Sequence, residues 1–296
     1  MSEIKGAVAV ITGAGSGIGR ALAMEMARRG AALALADVNV AGLEETRALL
    51  SAQAARTYTV DVADPSSVAD FAEAVQRDFG RASLLVNNAG VALYGTFAEI
   101  SLADMDWLMR INYWGVVHGC KFFLPLLERE PDARIVNISS VFGLFGPPGQ
   151  SAYCSSKYAV RGFSECLREE LRASNVKVTC VHPGGIATRI AENARAGSAA
   201  NTTKFAQDRQ RFAKVAITTP EEAARVIVKG ITGNKDRVLI GSDARRIALL
   251  QRIFPVRATA MLTAWLQKQL ASADQSPAEL GDSHEKGGSK PSRSHL

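Results

Sequence analysis

The chain has 296 residues, 47% of them hydrophobic and 22% charged, with a formal net charge of +6. That length and balance suit a soluble α/β protein with one substantial core, and exclude disordered, collagenous and disulfide-stapled chains. The basic surplus gathers at Arg245, Arg246, Arg252 and Arg257 and not along one nucleic-acid-sized stripe, so no nucleic-acid partner is expected.

Ala7 to Thr12 is a short apolar run, broken by Gly13, Ala14, Gly15, Ser16, Gly17, Ile18 and Gly19. A helical pattern follows through Leu22, Met26 and Ala27 to Gly30. Strand, glycine turn and helix form the context in which backbone N–H groups and a helix N-terminus hold a pyrophosphate. The spacing is G-x-x-x-G-x-G, not G-x-G-x-x-G, and a lone glycine turn is weak evidence. A second strand, Ala31 to Ala36, ends in Asp37. A carboxylate there can accept from ribose hydroxyls and repel a 2′-phosphate, which favours NAD over NADP. Ser16, where Lys or Arg would read a phosphate, points the same way.

A third strand, Thr57 to Val60, finishes at Asp61 and Val62, and a helix starts at Asp64 and Pro65 and runs to Phe79. A fourth strand, Ser83 to Val86, ends in Asn87, Asn88, Ala89 and Gly90. Strands alternating with helices predict a doubly wound parallel sheet with ligands at the strand C-terminal ends. Leu102 to Leu127 reads as helix with Asn112 in its middle, and Arg134 to Ile138 as the fifth strand.

Beyond a loop rich in glycine and proline, Gly143 to Gly149, a helix runs to about Ala173. Tyr153 and Lys157 are four apart on its first turns and share one face, and Ser140 approaches from the strand end. A hydroxyl, a phenol and an ammonium meeting there suit proton transfer to or from an alcohol oxygen. The ammonium is expected to lower the phenol's proton affinity from its ordinary value of about 10. A sixth strand, Val176 to Val181, ends in His182, Pro183, Gly184, Gly185, Ile186, Ala187 and Thr188. His182 reads as a positioning residue, since no carboxylate or second histidine lies near it. Cys120, Cys154, Cys166 and Cys180 lack CxxC spacing and are expected to be reduced thiols, with no metal site.

Taken together and in order, these motifs resemble the short-chain dehydrogenase/reductase family across roughly Lys5 to Gly241. The matches are TGAGSGIG from Thr12 to Gly19, NNAG from Asn87 to Gly90, Asn112, Ser140, Tyr153 with Lys157, and the PGG-I-x-T element ending at Thr188. The resemblance implies a three-layer Rossmann-type fold binding NAD, or less readily NADP. It implies Tyr153 as general acid/base and Lys157 as partner of the nicotinamide ribose. Ser140 would hold the substrate oxygen, and Asn112 would anchor a water of the proton relay. By the same likeness Asp61 and Val62 flank the adenine, Asn88, Ala89 and Gly90 line the cofactor cleft, and Pro183, Gly184, Ile186 and Thr188 meet the nicotinamide. Cys154 and Ser155 depart from the commoner Ala-Ser between the tyrosine and the lysine.

The substrate side is less defined. Val141, Phe142, Leu144 and Phe145 suggest an apolar pocket for a lipophilic secondary alcohol or ketone, and Arg189 to Lys214 reads as an irregular, basic flap. Thr219, Pro220, Glu221 and Glu222 start a helix to about Ile231, and Arg237 to Ile240 is a last strand. The expected organisation is a catalytic domain at 1–242, an amphipathic extension at 243–271 and a flexible tail at 272–296. The extension is read as packing on the domain or on another subunit of a homodimer or homotetramer. Contact of 244–270 with an anionic membrane surface is the less favoured alternative. With no signal-like segment the expected compartment is the cytoplasm. Two alternatives are an NADP-dependent carbonyl reductase of the same fold and a nucleotide-sensing regulator without turnover.

Overall fold

The structure is a computed structural model that describes residues 3–50 and 55–272. The tail expected beyond Ser272 lies outside the described residues. Nine strands and ten α-helices follow one another among those described: β1 (Val8–Thr12), α1 (Gly17–Arg28), β2 (Ala32–Asp37), α2 (Val40–Ala48), β3 (Ala55–Thr59), α3 (Pro65–Phe79), β4 (Leu84–Asn87) and β5 (Leu93–Tyr94). Then come α4 (Leu102–Met109), a π-helical turn (Arg110–Trp114), α5 (Gly115–Leu127), β6 (Ala133–Ile138), a 3₁₀ turn (Val141–Gly143) and α6 (Ser151–Glu170). The chain closes with β7 (Val176–Pro183), β8 (Arg195–Ala196), α7 (Thr202–Val215), α8 (Pro220–Thr232), β9 (Arg237–Ile240), α9 (Ser242–Ile253) and α10 (Ala258–Ser272).

Seven strands form one sheet in the order β3-β2-β1-β4-β6-β7-β9, every pair parallel. The central strands are buried on both sides because helices cover both faces. Alternate residues feed the two layers: Ile11, Leu33, Leu35, Val86 and Val136 pack with Leu22, Met26, Ile227 and Ile231 of α1 and α8. Val10, Ala34, Leu85 and Ile135 face Phe71, Val75, Phe123 and Val160 of α3, α5 and α6. The Phe71 and Phe123 rings meet edge-on at 5.3 Å, and burying each contributes about 2–3 kcal/mol.

The chain leaves β1 in one direction for β2 and β3, then returns to lay β4 on its other side. This reversal opens a crevice at the C-terminal ends of β1 and β4, where ligands of such sheets bind. The glycine loop and the Asn88 to Gly90 segment are the chain that leaves those two ends.

Several expectations need correcting. Val40 to Ala48, unassigned from the sequence, is a helix, capped by the Asn39 side chain accepting from the Gly42 N–H at 3.0 Å. Arg189 to Lys214 is not irregular throughout, for it carries β8 and α7. Helix α7 has a largely polar sequence and is held by contacts from outside it. The Phe205 ring sits 5.5 Å from Tyr94, whose hydroxyl donates to Asp208. The helix expected to reach Ala173 ends at Glu170. Among the described residues no helix is long and apolar enough to cross a membrane. The cysteines are free, with Cys120, Cys154 and Cys180 buried and Cys166 exposed.

Candidate active site

The nucleotide side starts from glycines that no other residue could replace without displacing backbone. A Cβ on Gly13 would lie 2.8 Å from the Ala89 Cα, and one on Gly19 only 2.1 Å from the Gly13 carbonyl oxygen. Gly13 and Gly17 also have φ of +66° and +51°, conformations that a side chain strains. Thr12 Oγ1 accepts from the N–H groups of Asn88 and Ala89, while the Asn88 amide donates to the Thr12 and Gly13 carbonyls at 2.9 and 3.1 Å. Asn88 therefore braces the loop from β4 through its amide.

Ser16 caps α1 without a side-chain hydrogen bond, and no carboxylate stands in the first turn. The first-turn amides of Gly17, Ile18 and Gly19 thus keep the donor character of a helix N-terminus. Asp37 accepts from the Gly15 N–H at 2.9 Å and the Asn39 N–H at 3.0 Å, so its carboxylate is held at the edge of that loop. The Arg20 guanidinium is spent on the Gly15 and Gly42 carbonyls, Thr46 Oγ1 and Glu45. Asp61 accepts from the Ala63 N–H, and Val62 is buried under Gly115. A pyrophosphate-bearing dinucleotide fits these features: glycines permitting close backbone approach, an uncapped helix N-terminus and a fixed carboxylate one strand away.

On the other side of the crevice, Ser140 follows β6 and its Oγ accepts from the Phe142 N–H at 3.1 Å. Ser139 is committed elsewhere, donating to the Lys157 carbonyl at 2.8 Å. Tyr153 lies half-buried in the first turn of α6, its ring edge-on to Phe142 at 6.1 Å. Burial pushes its phenol up to about 12, and a hydrogen bond with Ser140 works against that rise. The ammonium of Lys157 stands 5.7 Å from the centre of the Tyr153 ring. Burial also brings Lys157 down to about 8, and its Nζ donates to the Ile138 carbonyl at 3.1 Å. The sequence points to a phenol made acidic by its lysine. Desolvation is the largest influence on the phenol, and the net shift is upward.

Asn112 is fully buried in the π-turn, which breaks the regular ladder between α4 and α5. Its Oδ1 accepts from the Val91 N–H at 2.8 Å, and its Nδ2 donates to the Val91 carbonyl and to Ser156 Oγ. A Cβ on Gly90 would stand 3.2 Å from Asn112 Oδ1 and 3.4 Å from Lys157 Nζ, so these three residues converge. His182 is buried and its Nδ1 lies 3.0 Å from the Ser140 carbonyl. Burial lowers its pKa to about 4, so the neutral ring donates there and positions the strand end. Among the described residues no group of acidic, histidine and cysteine side chains could hold a metal ion.

Sequence reasoning missed Asp243. From the start of α9 its carboxylate accepts from the Gly185 N–H at 2.8 Å. A Cβ on Gly184 would fall 2.2 Å from that carboxylate, so the loop and the aspartate require each other. A signal in the sequence was Gly184 and Gly241, whose missing side chains leave the space this carboxylate occupies. Ile186 bridges to Thr218, and the Thr188 methyl would lie 3.2 Å from a Cβ on Gly17, closing the crevice against the glycine loop. Val141, Leu144 and Phe145, expected in the pocket, are instead buried against Ala244, Ile247, Ala258 and Leu262 of α9 and α10. The ring of Phe142, from that same group, packs on Tyr153.

The short chain dehydrogenase profile matches residues 7–199. A Mycobacterium tuberculosis chain named as the oxidoreductase SadH is 45% identical over 257 residues, spanning 86% of this chain and 92% of its own length. A solved short chain dehydrogenase/reductase from Burkholderia phymatum in complex with NAD superposes with TM-score 0.78 and 33% identity, covering 85% of this chain and 95% of the other. An alcohol dehydrogenase from Thermococcus sibiricus, complexed with 5-hydroxy-NADP, aligns with TM-score 0.68 and 25% identity over 80% of this chain and 96% of that one.

Proposed function

This chain belongs to the short-chain dehydrogenase/reductase family of oxidoreductases, and we propose that it interconverts a lipophilic secondary alcohol and its ketone using NAD. Bound NAD would supply the hydride acceptor. It would be held by Gly13 to Gly19, Asp37, Asp61, Val62, Ala89, Gly90, Lys157 and the Pro183 to Thr188 loop. Ser140 holds the substrate oxygen, and Tyr153 moves the proton at that oxygen. Lys157 steadies the phenolate and the ribose, and Asn112 fastens the Val91 turn on which Lys157 and Gly90 converge. Orientation of the reacting carbons is most of the catalytic work.

The observation that carries this is the meeting of Ser140, Tyr153 and Lys157 at the C-terminal edge of β6, beside Gly90 and Asn112. Preference for NAD is supported by Asp37, fixed at the loop edge by Gly15 and Asn39, with Arg20 tied to Glu45. A 2′-phosphate there would meet a carboxylate and no free guanidinium. The apolar character of the substrate is supported by Phe142 against Tyr153.

The test is turnover of secondary alcohols and ketones with NAD and with NADP, in the wild type and in Tyr153→Phe. The substitution is expected to lower kcat at least about a thousandfold while leaving the dissociation constant of NAD within about threefold, because only the proton-carrying hydroxyl is removed. Retained turnover in Tyr153→Phe would remove this chemistry, and higher kcat/KM with NADP would remove the cofactor assignment.

A further inference from the structure

Helices α9 and α10 spend their inner faces on the domain, burying Ala244, Ile247, Ala258 and Leu262 on Val141, Leu144 and Phe145. Their outer corner is different. Arg252, Ile253, Phe254, Pro255, Val256 and Arg257 are six consecutive exposed residues. Ile253 is 55% exposed, Phe254 45% and Val256 89%, with Leu249, Met261 and Trp265 continuing the apolar surface along the two helices. Such an apolar tip in water is a docking surface in search of an occupant.

The charges around it narrow the choice. Arg245, Arg246, Arg252 and Arg257 are exposed and have no ion-pair partner among the described residues. Between Ser242 and Ser272 the one carboxylate is Asp243, and it is turned inward onto Gly185. A second copy meeting this face across a two-fold axis would bring the same arginines together, which costs free energy. A surface that is negatively charged and accepts apolar side chains answers both features, with guanidinium groups at the headgroups and Ile253, Phe254 and Val256 below them.

We propose that the α9–α10 corner docks on a bilayer surface carrying anionic headgroups. Packing on the domain and contact with lipid, alternatives at the level of sequence, are then properties of opposite faces of one element. The docking does not depend on the proposed activity. It would set the Phe142 side of the domain, against which α9 packs, close to the lipid.

The experiment is co-sedimentation of the full chain with vesicles of equal parts phosphatidylcholine and phosphatidylglycerol, and with phosphatidylcholine alone. Binding is expected to the mixed vesicles, at least about tenfold weaker to the neutral ones, and reduced by salt. Phe254→Ser with Val256→Ser, and separately Arg252→Gln with Arg257→Gln, are each expected to weaken vesicle binding roughly tenfold or more. NAD binding and the unfolding midpoint should stay at wild-type values in both. Absence of binding, or binding that both variants retain, overturns the proposal. If the Ser variant instead dissociates an oligomer in sedimentation velocity and vesicle binding is unchanged, the face is an interface between copies and the lipid proposal falls.

Discussion

The nucleotide side and the substrate side of the crevice differ in how far they lean on long side chains. From Gly13 to Gly19 and from Asn88 to Gly90, backbone packs on backbone, and bonds from Thr12 and Asn88 join the two strand ends. Around β5, β8 and α7 a short parallel ladder, in which the Arg195 and Gly197 N–H groups donate to the Ala92 and Tyr94 carbonyls, is supplemented by individual side chains. Tyr94 bonds Asp208, Asp104 accepts from the Ser198 N–H at 3.1 Å, and the Arg195 guanidinium lies 4.5 Å over Trp107. The first construction tolerates almost no change, because a single methyl group has nowhere to go. The second adds to its ladder side-chain pins that can be exchanged while the fold is kept, which is how one scaffold keeps its cofactor and varies its substrate.

The sharpest way to break this contrast is Gly19→Ala. With a Cβ 2.1 Å from the Gly13 oxygen and 2.7 Å from the Asn88 amide, the loop must move. The expected result is loss of measurable NAD binding and about 3 kcal/mol of stability, read by fluorescence titration and urea unfolding. A variant with wild-type binding would show the loop to be far softer than its packing implies.

Lys157→Met separates chemistry from stability inside the rigid half. Lys157 falls from 10.5 to about 8 through burial, so its charged form is the one the fold disfavours. A depressed folded-state pKa means stability is present above 10.5 and lost as pH falls through about 8. Removing the charge should therefore raise stability at pH 7 by about 2 kcal/mol while turnover falls at least about a hundredfold. The difference in stability should vanish near pH 11. For Tyr153, raised from 10.0 to about 12, the sign is opposite, and stability declines as pH rises across that interval. Equal stability of the two proteins at pH 7 would contradict the assigned burial.

The smallest effect belongs to the pinned half. Asp208→Asn weakens the acceptor for the Tyr94 hydroxyl and loosens α7. Substrate KM is expected to rise about threefold, with NAD affinity unchanged. A matching loss of NAD affinity would mean that α7 is coupled to the nucleotide side after all.

Residue order along the chain was enough to read the alternation of strands and helices, the glycine loop, Asp37 and the grouping of Ser140, Tyr153 and Lys157. Each of these depends on local periodicity, or on side chains brought together by the turns of one helix and the strand beside it. Helix α2 escaped because its first turn is Val40, Ala41 and Gly42, with no apolar stripe to announce it. Helix α7 escaped because its partner, Tyr94, is over a hundred residues away. Only the tertiary structure decided that Asp243 locks the Gly184–Gly185 turn, that Phe145 belongs to the core under α9, and that Lys157 lies over the ring of Tyr153. Those outcomes turn on desolvation and on which surfaces meet, and neither quantity exists until distant segments pack.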